Sequence, residues 1–449
     1  MTTTGLMRSL TAPARRPRRP GLGGALLLAS LLLACGGAPG GGGTPPPGGQ
    51  TGTLTVTLER VPVVGEAAQP GALRLRGTPP AGVKVTVEAA PPGVQLAPGA
   101  PTAEGSDTLV TLNPQGQGGG TVTLQVSAPP GTARLNVPVL AQRRWPIPGT
   151  TPYLAAAARP APDGTLLLRA PANAEASARH SLLQFDPAQG RWNTLDFGLQ
   201  GFETITSHTV ISLGTRGTET WVAVRGVTAA GSFLVRRDSA GTLTRFLAGT
   251  PETLNALTPT LDGRLQFLVY GQPQVLALDP ASGTVSRVPT DGVPETLVAL
   301  EGGRLAYTRR GAAPAVVTLD PQTGAARTFA VGTANVSVPD LLTPAPDGTL
   351  WLAETRTGAV LNLDPRSGTT RTLSLPAGTR PSALAAAPDG TLWVADATRA
   401  TLLRVAPGAS SGAAVALPPG TPTGPRALTV TSDGAAWFES GGQWTRLGS

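Results

Sequence analysis

Beyond residue 50 the chain is written in short runs where apolar and polar residues alternate. Residues 53–58 (TLTVTL), 72–76 (ALRLR), 83–87 (VKVTV), 108–112 (TLVTL), 121–126 (TVTLQV) and 133–137 (ARLNV) all follow this rule, with Pro/Gly turns between them. A period of two turns every second side chain to one face, which predicts half-buried β-strands. Six or seven such strands in about 90 residues predict a two-layer β-sandwich over 51–142.

From 143 to 449 the pattern repeats. Pro-Asp-Gly-Thr-Leu stands at 162–166, 346–350 and 388–392, with degenerate copies at 261–263, 301–303 and 432–434 and a blurred one near Gly217, ahead of Trp221. A second motif follows at 185–187 (FDP), 278–283 (LDPASG), 319–324 (LDPQTG) and 363–368 (LDPRSG), each leading into another strand. Four strands in about 40–50 residues is the period of a propeller blade, which buries its two faces only against neighbouring blades. The seven anchors predict a seven-bladed β-propeller, with six blades as the alternative, and an all-β fold for the whole chain. The last unit (426–433, 435–439, 443–447) lacks a fourth strand, while residues 143–148 (RRWPIP) form an orphan strand ahead of the first unit. That segment is expected to complete the last blade and close the ring.

Two resemblances follow from these residues. Segments 79–83 (PPAGV) and 120–126 (GTVTLQV) resemble the immunoglobulin-like modules of bacterial surface lipoproteins. Segments 339–354 (PDLLTPAPDGTLWLAE) and 381–396 (PSALAAAPDGTLWVAD) resemble blades of virginiamycin B lyase-like, NHL-like and SMP-30-like propellers. The second resemblance covers the C-terminal two thirds and implies a fold far more than an activity. Its lyase members would imply histidine and glutamate with Mg²⁺ at the channel mouth. This chain has two histidines, His180 and His208, and neither stands beside Glu354 or Asp396.

The first residues carry a different signal. Residues 1–20 hold Arg8, Arg15, Arg16, Arg18 and Arg19 and no acid; an apolar run follows over 22–34. That run is too short to span a bilayer, which takes about 20 residues. A basic segment before a short apolar one is the secretory pattern. The run ends Leu32-Leu33-Ala34-Cys35-Gly36, which resembles the lipobox of bacterial lipoproteins. Residues 1–34 are therefore expected to be a signal peptide and Cys35, the one cysteine, the lipidated N-terminus of an exported protein. The protein would sit on the cell membrane or outer membrane, facing periplasm or cell surface. Residues 35–50, from that cysteine through a Gly/Pro-rich run, read as a tether to the sandwich.

Composition then narrows the function. Without the five signal arginines the formal charge falls from +8 to +3, and charged residues make up 14%. No basic block remains, which disfavours nucleic acid as a partner. A mature chain whose one cysteine is acylated has no disulfide or thiolate chemistry. No Ser-His-Asp elbow, phosphate loop or His-rich zinc motif is present, and no catalytic residue is assigned.

The Asp-Pro motifs read as turns, because Asp-Pro starts a turn and glycine supplies a positive φ. Trp221, Trp351, Trp393 and Trp437 recur at one strand position and read as packing between blades. Two aligned columns remain. The end of the second strand gives Ala170, Val224, Val269, Arg309, Glu354, Asp396 and Ser440. The start of the innermost strand gives Glu295, Asp340, Ser382 and Arg426. Glu295, Asp340, Glu354 and Asp396 with Arg309 and Arg426 are thus the candidate channel-mouth site. Such a set reads first as a solvated ring of ion pairs between blades, worth little energy. Its functional reading is a site for a polar ligand, a basic peptide or, through oxygen ligands, Ca²⁺ or Mg²⁺. The expectation is a monomeric, non-enzymatic lipoprotein without cofactor that presents a propeller to an envelope protein or small polar ligand. The alternative is a metal-dependent lyase or lactone hydrolase.

Overall fold

The computed structural model describes residues 54–448, apart from 66–67, 130, 149–156, 170–179, 200–202, 213–217, 226–230, 251–252, 261, 311–313, 332–339, 397 and 418–423. Cys35, the segments assigned to signal and tether, Ala170 and the blurred repeat at Gly217 lie outside the described residues. Residues 51–449 form one compact unit. No described helix is long and apolar enough to cross a membrane.

That unit is all-β. Its first part has two layers. One holds Val56–Arg60, Gly71–Leu75, Asp107–Gly116 and Val94–Pro98; the other holds Lys84–Ala89, Gly120–Ala128 and the long strand Gly131–Pro146, with Val63–Gly65 along its edge. The alternation in sequence becomes the core: Val122, Leu124 and Val126 on one layer meet Leu73, Leu75, Val110 and Leu112 on the other, all fully buried.

The second part is a β-propeller. Among the described residues, five four-stranded antiparallel sheets stand alone as blades, over 157–196, 204–250, 254–289, 293–330 and 341–373. The anchor spacing predicted seven, or six. The difference arises because the last two runs of strands are not separate sheets. Strands from Pro381–Ala386 to Ala413–Ala416 continue into the first sandwich layer, and Arg426–Val430, Ala436–Ser440 and Gln443–Gly448 continue into the second. The innermost strands neighbour one another in sequence, and Ala157–Pro160 lies against Arg426–Val430, so the ring is closed.

Two devices join ring and sandwich. Residues 141–146 of the long strand pair antiparallel with 443–448, in register Trp145↔Trp444 and Arg143↔Arg446. Gly131–Pro146 runs unbroken through the boundary drawn at 142/143 in the sequence, so no linker separates the two parts there. The first sandwich strand meets the other extended sheet in parallel at Arg60↔Ala414, and Val61 N–H donates to the Ala414 carbonyl at 2.8 Å. Val61, Val63 and Leu140 of the sandwich share one core with Trp393, Leu402, Val415, Phe438 and Leu447. The sandwich is therefore built into the ring.

Candidate ligand-binding cleft

Antiparallel up-and-down blades place the turns after the first and third strands on one face of the ring. That face carries the Asp-Gly and Asp-Pro motifs, and their aspartates are used locally. Asp279 accepts from Ala281 N–H at 2.9 Å and Ser282 Oγ at 2.9 Å; Asp320 and Asp364 repeat the pattern with Gln322 N–H and Arg366 N–H, both at 2.9 Å. These backbone donors, ahead of all other causes, hold the three carboxyls below their ordinary pKa. Gly283 ends one such turn at φ 71°, a conformation glycine adopts without strain. The recurrent tryptophans fill cores that span neighbouring blades, as Trp351 does with Leu392, Val394 and Leu403.

The opposite face carries the turns after the second strands and the starts of the innermost ones. There the blades of 254–289, 293–330 and 341–373 enclose a cleft of about 580 Å³ lined by Asn255, Tyr270, Gly271, Val293, Pro294, Glu295, Thr296 and Asp340. Glu295 lies at a bulge between Pro294 and Thr296 in the ladder with the second strand. A bulge removes one residue from the alternation and re-aims its side chain. Asp340 sits at the head of the next inner strand, its N–H donating to the Ala353 carbonyl at 3.0 Å. One of its oxygens, Oδ2, accepts from Thr355 Oγ1 at 2.6 Å and Thr355 N–H at 3.3 Å. Asn255 opens a second bulge, beside Ala256 at φ 50°, and its Oδ1 is buried without a hydrogen-bond partner. A left-handed alanine is strained by about 1 kcal/mol or more, and such strain gathers at sites that need a fixed shape. Tyr270 is 66% exposed at the rim.

The other four candidates lie elsewhere. Arg309 pairs with Asp291. Glu354 is 1% exposed and caps its own turn, accepting from Thr357 N–H at 2.6 Å and Arg356 N–H at 3.1 Å. Asp396 is equally buried; its Oδ1 accepts from Thr398 Oγ1, Thr398 N–H and Arg380 N–H at 2.7, 3.0 and 3.2 Å. Arg426 is exposed and stands opposite Glu439. The structure therefore brings two of the six, Glu295 and Asp340, into one cleft. Ca²⁺ takes six to eight oxygens. Among the described residues no three His, Cys, Asp or Glu side chains group to hold a metal.

Neither histidine lines the cleft. His208 lies in Thr204–Ser212, 2% exposed, with Nε2 3.2 Å from the Leu167 carbonyl of the blade before it. Burial, then the charges of Arg159 and Arg169, push its pKa from 6.5 to about 3. It is a neutral packing histidine that donates through Nε2. His180 is half-buried beside Ser181–Asp186, with Nε2 lacking a partner. A pH dependence follows for His208. Its unfolded form takes up a proton below about pH 6.5 and the folded form does not, so stability is full above that pH and falls toward pH 3. Each pH unit in that window removes up to about 1.4 kcal/mol. Between pH 6 and pH 4, His208→Gln is expected to lose about 2–3 kcal/mol less than the parent in urea titrations.

The column of second-strand ends passed over one buried acid. Ser440 was aligned there, but its neighbour Glu439 is fully buried, accepts from Gly442 N–H at 2.9 Å and leaves Oε2 unpartnered. Desolvation raises its pKa against the opposing pull of the Gly442 N–H and Arg426. A raised carboxyl weakens the fold once the unfolded chain ionises, above about pH 4.5. Glu439→Gln keeps the acceptor for Gly442. It is expected to raise the melting temperature at pH 7, with the gain vanishing below pH 4.5.

No protein family model matches the sequence. No curated protein matches it either. Solved structures do. Selenomethionine-substituted virginiamycin B lyase from Staphylococcus aureus superposes with a TM-score of 0.57 at 13% identity, covering 69% of this chain and 99% of that one. A streptogramin B lyase gives 0.56 at 15%, covering 69% and 97%. YCF48 bound to D1 peptide gives 0.53 at 15%, covering 69% and 95%. At these identities the likeness is one of fold: the chain carries a β-propeller similar to that of virginiamycin B lyase.

Proposed function

We propose that the protein is a non-enzymatic binding lipoprotein of the cell envelope, anchored through Cys35, which captures a basic side chain of a protein partner in the cleft of Glu295 and Asp340. The observation that carries the reading is that cleft. It sets two carboxylates, an aromatic rim and a buried amide oxygen in one concave surface. Carboxylates attract a guanidinium or ammonium group, an aromatic face adds about 0.5–1 kcal/mol to an exposed cation, and the amide oxygen accepts its N–H. Similarity to YCF48, described as bound to a peptide, supports a protein ligand. The immunoglobulin-like reading of the sandwich and the monomeric state belong to the same proposal.

Calorimetric titration with the peptide Gly-Arg-Gly-Arg-Gly and its citrulline counterpart tests it. The arginine peptide is expected to bind and the neutral isostere not to. Tyr270→Ala is expected to weaken binding about two- to fivefold. Equal binding of both peptides contradicts the proposal.

A further inference from the structure

Where the sandwich meets the closing strand, a second cleft of about 760 Å³ opens, lined among others by Gly65, Gln142, Arg143, Arg144, Trp145 and Arg446. It shares no lining residue with the cleft of Glu295. Its chemistry has the opposite sign: among the described residues three guanidinium groups and no carboxylate line it.

Strand pairing creates this concentration of charge. Arg143 and Arg446 stand directly opposite across the antiparallel ladder. Like charges in that position destabilise a sheet. Asp433 relieves one of them, at 2.7 Å from Arg446 Nη2. Arg143 is exposed and has no acidic partner among the described residues. Gln142, next to it, is 4% exposed and its Oε1 is buried without a hydrogen-bond partner. Gly65, at φ 119°, pairs with Gln142 in the parallel ladder; a Cβ there would lie 2.4 Å from the Gln142 carbonyl oxygen, so glycine lets the two strands lie close beside the cleft.

We propose that this cleft binds a phosphate ester. An anionic phosphoryl group offers the paired acceptor oxygens to which a planar guanidinium fork donates best. A hydroxyl beside the phosphate would donate to Gln142 Oε1, which favours a polyol phosphate over a bare anion. That chemistry occurs in a soluble glycerol phosphate and in the headgroup of phosphatidylglycerol.

The test uses the full chain carrying Cys35→Ser, so that no acyl group confuses membrane binding. Glycerol phosphate is titrated by calorimetry, and phosphatidylglycerol and phosphatidylcholine vesicles by co-sedimentation. Arg143→Gln is the main variant; it removes a like-charge contact and is expected to melt no lower than the parent. Glycerol phosphate binding that weakens tenfold or more in Arg143→Gln, and less in Arg143→Lys, supports a soluble ester. Binding confined to phosphatidylglycerol vesicles and lost in Arg143→Gln supports the headgroup as the source. Absence of binding to both, or undiminished binding by Arg143→Gln, overturns the proposal.

Discussion

A chain beginning at residue 149, without the sandwich and the long strand, is expected to show no cooperative unfolding transition, whereas the full chain unfolds in one step. The truncation removes the strand that pairs with 443–448. It also strips Trp145, which stacks on Trp437 at 5.5 Å and meets Phe185 at 5.0 Å. Ile147 leaves the same core, and Val61, Val63 and Leu140 leave the neighbouring one. A buried Val, Leu or Ile contributes about 1.5–3 kcal/mol. Losing a fully buried tryptophan costs about 3–5 kcal/mol, and the half-buried Trp145 somewhat less. Together these losses match or exceed the 5–15 kcal/mol that stabilises a typical domain. Calorimetry and size-exclusion chromatography of the two chains make the comparison. A sharp transition in the truncated chain, near the parent's midpoint, would show that the ring closes without its N-terminal strand.

The double variant Glu295→Gln/Asp340→Asn is expected to weaken binding of the arginine peptide by about 30-fold or more, without loss of fold. Hydrogen bonds to charged groups contribute about 1.5–3 kcal/mol each, and every 1.4 kcal/mol is tenfold in affinity. Both side chains stand at the cleft surface, and the amides keep the shape and the Thr355 contact to Asp340. The parallel change Glu354→Gln serves as the contrast. It sits in a buried turn cap, so its effect should fall on stability and not on affinity. Rising salt should weaken binding to the parent and leave the double variant almost unaffected.

The repeat of Asp-Gly and Asp-Pro turns made the propeller legible, because those turns recur with the blade. The sandwich was legible through strict alternation, as in 121–126. Blade independence was not legible. Whether a four-strand run ends as its own sheet depends on a distant partner, such as Arg60 for Ala414, and no local pattern encodes that pairing. The site was half legible. Alignment of inner-strand starts found Glu295 and Asp340, because a bulge or strand head places them at the cleft. The second-strand column selected Glu354 and Asp396, where the same residue types cap turns by accepting from groups two or three residues on. Tyr270 and Asn255 escaped because they flank the aligned columns. Tyr270 follows Val269, the apolar member of its column, and Asn255 lies at a bulge with no sequence signature.

The most direct measurement is a crystal structure of the protein soaked with argininamide. The binding account predicts its guanidinium between the carboxylates of Glu295 and Asp340, against the Tyr270 ring and within hydrogen-bond reach of Asn255 Oδ1. Argininamide bound elsewhere on the ring, with that cleft empty, would contradict it.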